Sequence, residues 1–393
     1  MITTFKDGTV TQRKEIHTSA LMTALVVGSL ALLVLGLQPI LLGELLEARQ
    51  VSLEGLGLVA MAEIVALGLG ALLGDLALPL VHLRLATAIA AAAAAAMNVG
   101  TLHAVGDMGF VAYRAAAGLA EGILVWGTTA VIVRSANPDR IAGLFFVLQT
   151  LAQAFVGLLL AHVIIPTHGW AGAFALLASL LLVPVLLAFA LPRHLQPLPT
   201  PPTGAFAWTW QKATPLITVF LQLSTLGALW AYVEPLGIHV GFSATAVQTL
   251  IAACLGVQVV GGLCGSALVR SLQAPKALLA GSTLLCGVAI GIFYTGAGAT
   301  TDFAALCGLF AFTWLFITPF QMRFAFDADA SGRVASLIPA AQVFGIAFGP
   351  LVASFFVQGE QAHAVPVVSA AFGAVATLTL CWRSVTQRHA FSA

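Results

Sequence analysis

Arg114 and Glu121 lie inside the apolar run Val111–Val133 of a chain in which only 8% of residues are charged. Seven residues on an α-helix is a rotation of about 700°, so both side chains share one face, roughly 10 Å apart along the axis. A guanidinium presents a planar fork that holds a carboxylate or another anion bidentately. A carboxylate in the same cavity can take up and release a proton, because burial and a nearby cation pull on it in opposite directions. The pair therefore reads as an anion anchor with a proton site beneath it, against the alternative of an ion pair that only fixes packing.

Other residue types extend this chemistry. Glu63, in the middle of the second apolar stretch, and Glu234, near the outer end of the seventh, are further candidate proton carriers. For Glu63 the alternative is a structural hydrogen bond to a neighbouring helix, and for Glu234 simple hydration. Gln38, Gln149, Gln153, Trp230, Tyr232, Trp314 and Gln342 are candidate substrate contacts, although interhelical packing is the commoner role of any one glutamine. Asp75, Gly349 and Pro350 are candidates for gating. Met97, His103 and Met108 lack metal-ligand spacing, and no nucleotide loop or catalytic triad is present. The expectation is a protein that is neither an enzyme nor an ATP-driven pump, needs no cofactor, and draws on a proton gradient.

These residues must be positioned by membrane helices, because 60% of the chain is hydrophobic and apolar stretches near the length of a bilayer crossing recur from end to end. The expected fold class is an all-α integral membrane protein of about twelve transmembrane helices in two six-helix bundles. The spans are read as Thr18–Ile40, Leu53–Gly74, Leu85–His103, Phe110–Val133, Ile141–Ile165, Gly169–Leu191, Pro215–Glu234, Ala244–Val269, Lys276–Thr295, Phe303–Met322, Val334–Val357 and Val365–Trp382. This divides the chain into a polar tail 1–17, a bundle 18–191, a linker 192–214, a second bundle 215–384 and a tail 385–393. Five prolines between Pro192 and Pro202 forbid a continuous helix in the linker.

Lys and Arg accumulate in cytoplasmic loops, and with the N-terminus inside nearly all of them here fall on that side, leaving Arg49 and Arg114. Both termini are therefore expected in the cytoplasm of a multi-pass inner-membrane protein. The net charge of +1 and the absence of a basic patch give nucleic acid no purchase. The five scattered cysteines offer no disulfide framework or zinc spacing.

The two halves read as diverged copies. Arg140, Ala142, Gln149 and Phe155 match Arg333, Ala335, Gln342 and Phe348 at one constant offset, and Ser52, Gly70 and Gly74 match Ser243, Gly261 and Gly265 at another. Gln38-Pro39, ending the first span, resembles Glu234-Pro235, ending the seventh. Parallel six-span repeats require matches between corresponding helices, as here.

On these residues the chain resembles the major facilitator superfamily over essentially its whole length. Arg114-Ala-Ala-Ala-Gly118-Leu-Ala-Glu-Gly122 looks like that superfamily's fourth-helix motif, Gly169-Trp170-Ala-Gly-Ala-Phe174 is similar to the turn that opens its sixth helix, and Pro138-Asp139-Arg140 matches the loop before its fifth. The Arg114 and Glu121 spacing resembles the anion:cation symporter branch and spinster-like transporters, which implies proton coupling at the glutamate and substrate or glutamate pairing at the arginine. Those groups usually carry an acid in the first helix, and Thr18–Ile40 has none. The loop between the second and third spans departs from the superfamily's pattern, of which only Asp75 survives. The fifth span lacks the Gly-Pro signature of many drug/proton antiporters.

The function implied is secondary transport by alternating access, with proton-coupled uptake of a small organic anion as its most specific version. Proton-coupled export of drugs or metabolites is the alternative, and a membrane sensor or assembly factor without turnover is a third reading. The expected partners are a small-molecule substrate and the lipid bilayer, with the chain acting as a monomer.

Overall fold

The computed structural model describes residues 17–193, 195, 207–329, 331–357 and 361–392, and for 139 and 383–392 the backbone alone. The expected N-terminal tail and most of the proline-rich linker fall outside the described residues. The elements are helices α1 (Thr18–Ala31), α2 (Leu33–Glu47), α3 (Leu53–Ala77), α4 (Leu83–Thr101), α5 (Gly106–Ile132), α6 (Pro138–Leu159) and α7 (Ile165–Leu187). The second half holds α8 (Trp210–Ala231), α9 (Val233–Val240), α10 (Ala244–Leu268), α11 (Ala274–Phe293), α12 (Thr300–Ala328), α13 (Arg333–Ser336), α14 (Ile338–Ser354) and α15 (Val365–Ser392). Eleven apolar helical stretches are long enough to cross a membrane. One of them, Arg140–Ala190, runs for 51 residues, or about 75 Å at 1.5 Å per residue, twice what a bilayer needs. Gly169 breaks it with φ 59° and ψ −158°, a backbone region open to glycine, so it supplies two crossings and brings the described total to twelve. The chain is a multi-pass membrane protein.

The internal repeat is visible in the caps and contacts. Ser52 caps α3 by accepting from the Gly55 amide at 2.9 Å, and its repeat partner Ser243 caps α10 by accepting from the Ala246 amide at 3.3 Å. Gly70 of α3 lies against the Leu119 carbonyl of α5, and Gly261 of α10 lies against the Phe312 carbonyl of α12. The second and fourth spans of one half thus pack as the eighth and tenth do in the other. The halves meet where α3 packs on α14 and α6 on α10.

The first and seventh spans depart from the sequence reading. Pro39 was expected to end the first span, since proline removes a helical donor and clashes with the preceding turn. The helix instead continues through Pro39 to Glu47. The carbonyl that loses its donor is Leu35, four residues back, and the indole N–H of Trp230, from the other half, donates to it at 3.0 Å. Pro235 sits in the first turn of α9, where its missing N–H costs nothing, so the seventh span restarts after Tyr232 and runs to Val240. Both extensions carry acids into the packed interior. The last helix also continues to Ser392, past the expected boundary at residue 384.

The Trp230 bond makes a test. Trp230→Phe keeps a ring against Phe310 and Trp314, whose centroids lie 6.5 Å and 5.6 Å away, but strands the Leu35 carbonyl. The expected loss is about 1–3 kcal/mol, read as a lower midpoint of thermal unfolding in detergent; an unchanged midpoint means the carbonyl finds another donor.

Candidate functional site

Close helix approach builds the charged cluster. A side chain at Gly118 would fall on the Glu63 carbonyl, and one at Gly122 on the Leu67 carbonyl. Only glycine lets α5 lie backbone to backbone on α3, and this sets Glu63 across from Arg114. The guanidinium Nη2 donates to Glu63 Oε1, and Nη1 donates to Asn98 Oδ1 of α4 at 2.9 Å. The Phe174 ring of α7 lies beneath it, 5.1 Å from the guanidinium carbon to the ring centroid. Glu121 Oε1 stands 4.0 Å from the same Nη2, and Glu121 Oε2 is buried with no hydrogen-bond partner. Arg114, Glu63 and Glu121 are 1%, 2% and 3% exposed, so bulk water does not screen them.

The sequence reading paired Arg114 with Glu121; the structure makes Glu63 the direct partner and leaves Glu121 as the second, looser carboxylate. Two turns of helix separate Arg114 from Glu121, whereas Glu63 reaches it across a glycine contact. All the described partners of Arg114 belong to the second, third, fourth and sixth spans, so the guanidinium is enclosed by one half. Asn98 was missed: it stands just beyond the long alanine run of α4, and an amide at that depth was the available signal. Phe174 joins two motifs that the sequence could only place far apart.

The other candidates are spread through both halves. Gln38 donates to the Ala60 carbonyl of α3 at 3.3 Å. Gln153 donates to the Leu32 carbonyl at 2.6 Å, where the first span is interrupted. Tyr232 donates to Leu53 at 3.3 Å across the halves. Gln342 donates to Gln321, Gln321 to Gln222 and Gln222 to Ser282, at 2.8, 2.9 and 2.8 Å, forming a relay of amides inside the second half. These glutamines, Trp230 and Tyr232 all have protein partners. Gln149 keeps a buried carbonyl oxygen without one, and Trp314 is half-buried beside Trp230.

Among the gating candidates, Asp75 is exposed and its charge acts on Arg134 at the end of α5, within its own half. The helix α14 continues unbroken through Gly349 and Pro350. Gly349 is where its backbone meets that of α8, at Ser224.

Glu234 was expected near a hydrated end. It is fully buried, and Gln248 of α10 donates to its Oε1 at 2.9 Å while also donating to Glu44 Oε1 of α2 at 2.7 Å. The first helix, once its true length is known, carries a buried acid after all. Glu44 went unnoticed because Pro39 was read as the end of the span.

At the sequence level no family model and no curated protein matches the chain. Solved structures do match its fold. A variant of the nucleoside transporter NupG is 12% identical with a TM-score of 0.75, the match covering 92% of this chain and 99% of that one. A bacterial homolog of the human lysosomal transporter Spinster, inward-facing and unoccupied, is 15% identical with a TM-score of 0.67, covering 95% and 97%. The xylose transporter XylE from E. coli, partially occluded and inward open, is 15% identical with a TM-score of 0.63, covering 93% and 98%. The likeness spans nearly the full length of each and establishes the fold as two six-helix bundles of the major facilitator type.

Proposed function

We propose that the chain is a secondary active transporter of alternating-access type, in which Arg114, Glu63 and Glu121 couple proton movement to uptake of a small organic anion. The observation that carries this reading is one buried guanidinium shared by two buried carboxylates. With all three groups ionised the cluster holds a net charge of −1, and an uncompensated charge at this depth is costly. One proton, held on Glu121, neutralises it. A substrate carboxylate that exchanges for Glu63 on the guanidinium leaves Glu63 without its counter-charge, and a second proton there restores neutrality. The substrate thus brings its own proton, which is coupling.

The charge count fixes the expected electrical behaviour. A monoanion that enters with one proton carries no net charge. In vesicles offered labelled organic monoanions, an inside-alkaline pH gradient drives accumulation and a potassium diffusion potential alone does not. Accumulation driven by the potential alone overturns this charge count. The likeness to transporters supports the transport half of the reading, and Lys and Arg sidedness supports both termini lying in the cytoplasm.

One observation favours a second reading. The described polar partners of Arg114, Glu63, Asn98 and Glu121, all belong to its own half, so the cluster can serve as a proton site with no anion on it. Proton-coupled export of a neutral or cationic metabolite then uses the same two carboxylates. Movement of the labelled compound against an outward proton leak, with no preference for anions, distinguishes it.

A further inference from the structure

We propose that Glu44, Glu234 and Gln248 form a binding site for a small hard cation at the seam between the two halves. Glu44 belongs to the first half, whereas Glu234 and Gln248 belong to the second, so the ligands come from both sides of the seam. A single amide nitrogen, Gln248 Nε2, donates to one carboxylate from each half. Both carboxylates are buried, at 7% and 0% exposure, and among the described residues neither is paired with Lys or Arg.

Two further observations point to a ligand. Glu234 Oε2 and Gln248 Oε1 are both buried without a hydrogen-bond donor, in residues that are 0% and 1% exposed. Oxygen atoms without donors, one carboxylate and one amide, are what a hard cation coordinates, and no sulfur or imidazole is part of the group. In addition, carboxylate oxygens of Glu44, Glu234 and the exposed Glu47 lie within 4.8 Å of one another. That spacing suits one ion with oxygen ligands at about 2.3–2.6 Å. Glu47, one turn beyond Glu44 and open to solvent, provides a hydrated entrance.

A proton satisfies one oxygen, whereas a metal ion between the carboxylates, with the Gln248 amide turned over so that Oε1 replaces Nε2, satisfies both orphan oxygens and offsets the paired negative charge. Because the ligands come from both halves, an ion bound here favours the arrangement in which this end of the molecule is closed. The site is separate from the Arg114 cluster, which lies wholly within the first half.

The test uses the purified full-length chain in detergent at pH 8. Thermal unfolding is followed while sodium, calcium or magnesium chloride replaces choline chloride at constant ionic strength. A saturable rise of several degrees with one of these ions is expected, with one equivalent of labelled ion bound per chain. Both responses are lost in Glu234→Gln and in Gln248→Ala, the latter keeping both acids in case the former misfolds. The ion that acts identifies the class. Curves that superimpose on choline, stabilisation that follows a fall in pH alone, or an ion response that survives both variants overturns the proposal.

Discussion

Arg114→Ala is expected to leave the protein unable to fold at ordinary temperature, whereas replacing all three charged residues together is expected to restore the fold and abolish transport. Removing the guanidinium strands Glu63 and Glu121 in a site from which water is excluded, and breaking a buried pair in this way costs about 3–5 kcal/mol. Marginal stability makes that a large fraction of the whole. The triple variant Glu63→Leu, Arg114→Met and Glu121→Leu removes the charge problem altogether, and apolar replacements of buried ion groups are often neutral or stabilising. Folded yield from detergent size exclusion and the thermal midpoint check the first half of this expectation; vesicle uptake checks the second. If Arg114→Ala folds as well as the native chain, Arg114 is not holding an ionised carboxylate at Glu63. If the triple variant still transports, the cluster is packing alone.

Glu63→Gln together with Glu121→Gln is expected to separate exchange from accumulation. The two changes keep the shape and remove both proton sites, so a substrate anion neutralises Arg114 without a proton. Exchange of labelled for unlabelled substrate across the vesicle needs no net proton movement and persists. Gradient-driven accumulation falls by about tenfold or more for each unit of imposed pH difference that the native protein exploits. Loss of both activities assigns the two glutamates to binding or folding, and retention of both moves the proton to another acid.

Much of the fold was legible because the bilayer imposes a simple length rule and because charges within it are few. Twelve crossings, two halves and the repeat positions Ser52 and Ser243 all follow from those constraints. The partner of Arg114 was not legible, since helix spacing ranks residues on one helix and says nothing of the helix opposite. Gly118 and Gly122 held part of that answer: they marked a close approach but not which helix approached.

The seam was hidden for a different reason. Local rules end the first span at Pro39, and they fail because Trp230, nearly two hundred residues away, supplies the donor that the Leu35 carbonyl has lost. A tertiary hydrogen bond thus lengthens a helix, and the longer helix buries Glu44. The expected span bounds left Glu44 between the first and second spans and put Glu234 at an outer end, so nothing in the sequence brought the two acids together.

The most direct test of proton-coupled transport is accumulation in vesicles under an imposed inside-alkaline gradient, with a protonophore added at the plateau. The account predicts internal substrate rising about tenfold above external for each pH unit, and collapsing to equality when the protonophore dissipates the gradient. Uptake that stops at equality, ignores the gradient and is indifferent to the protonophore contradicts it.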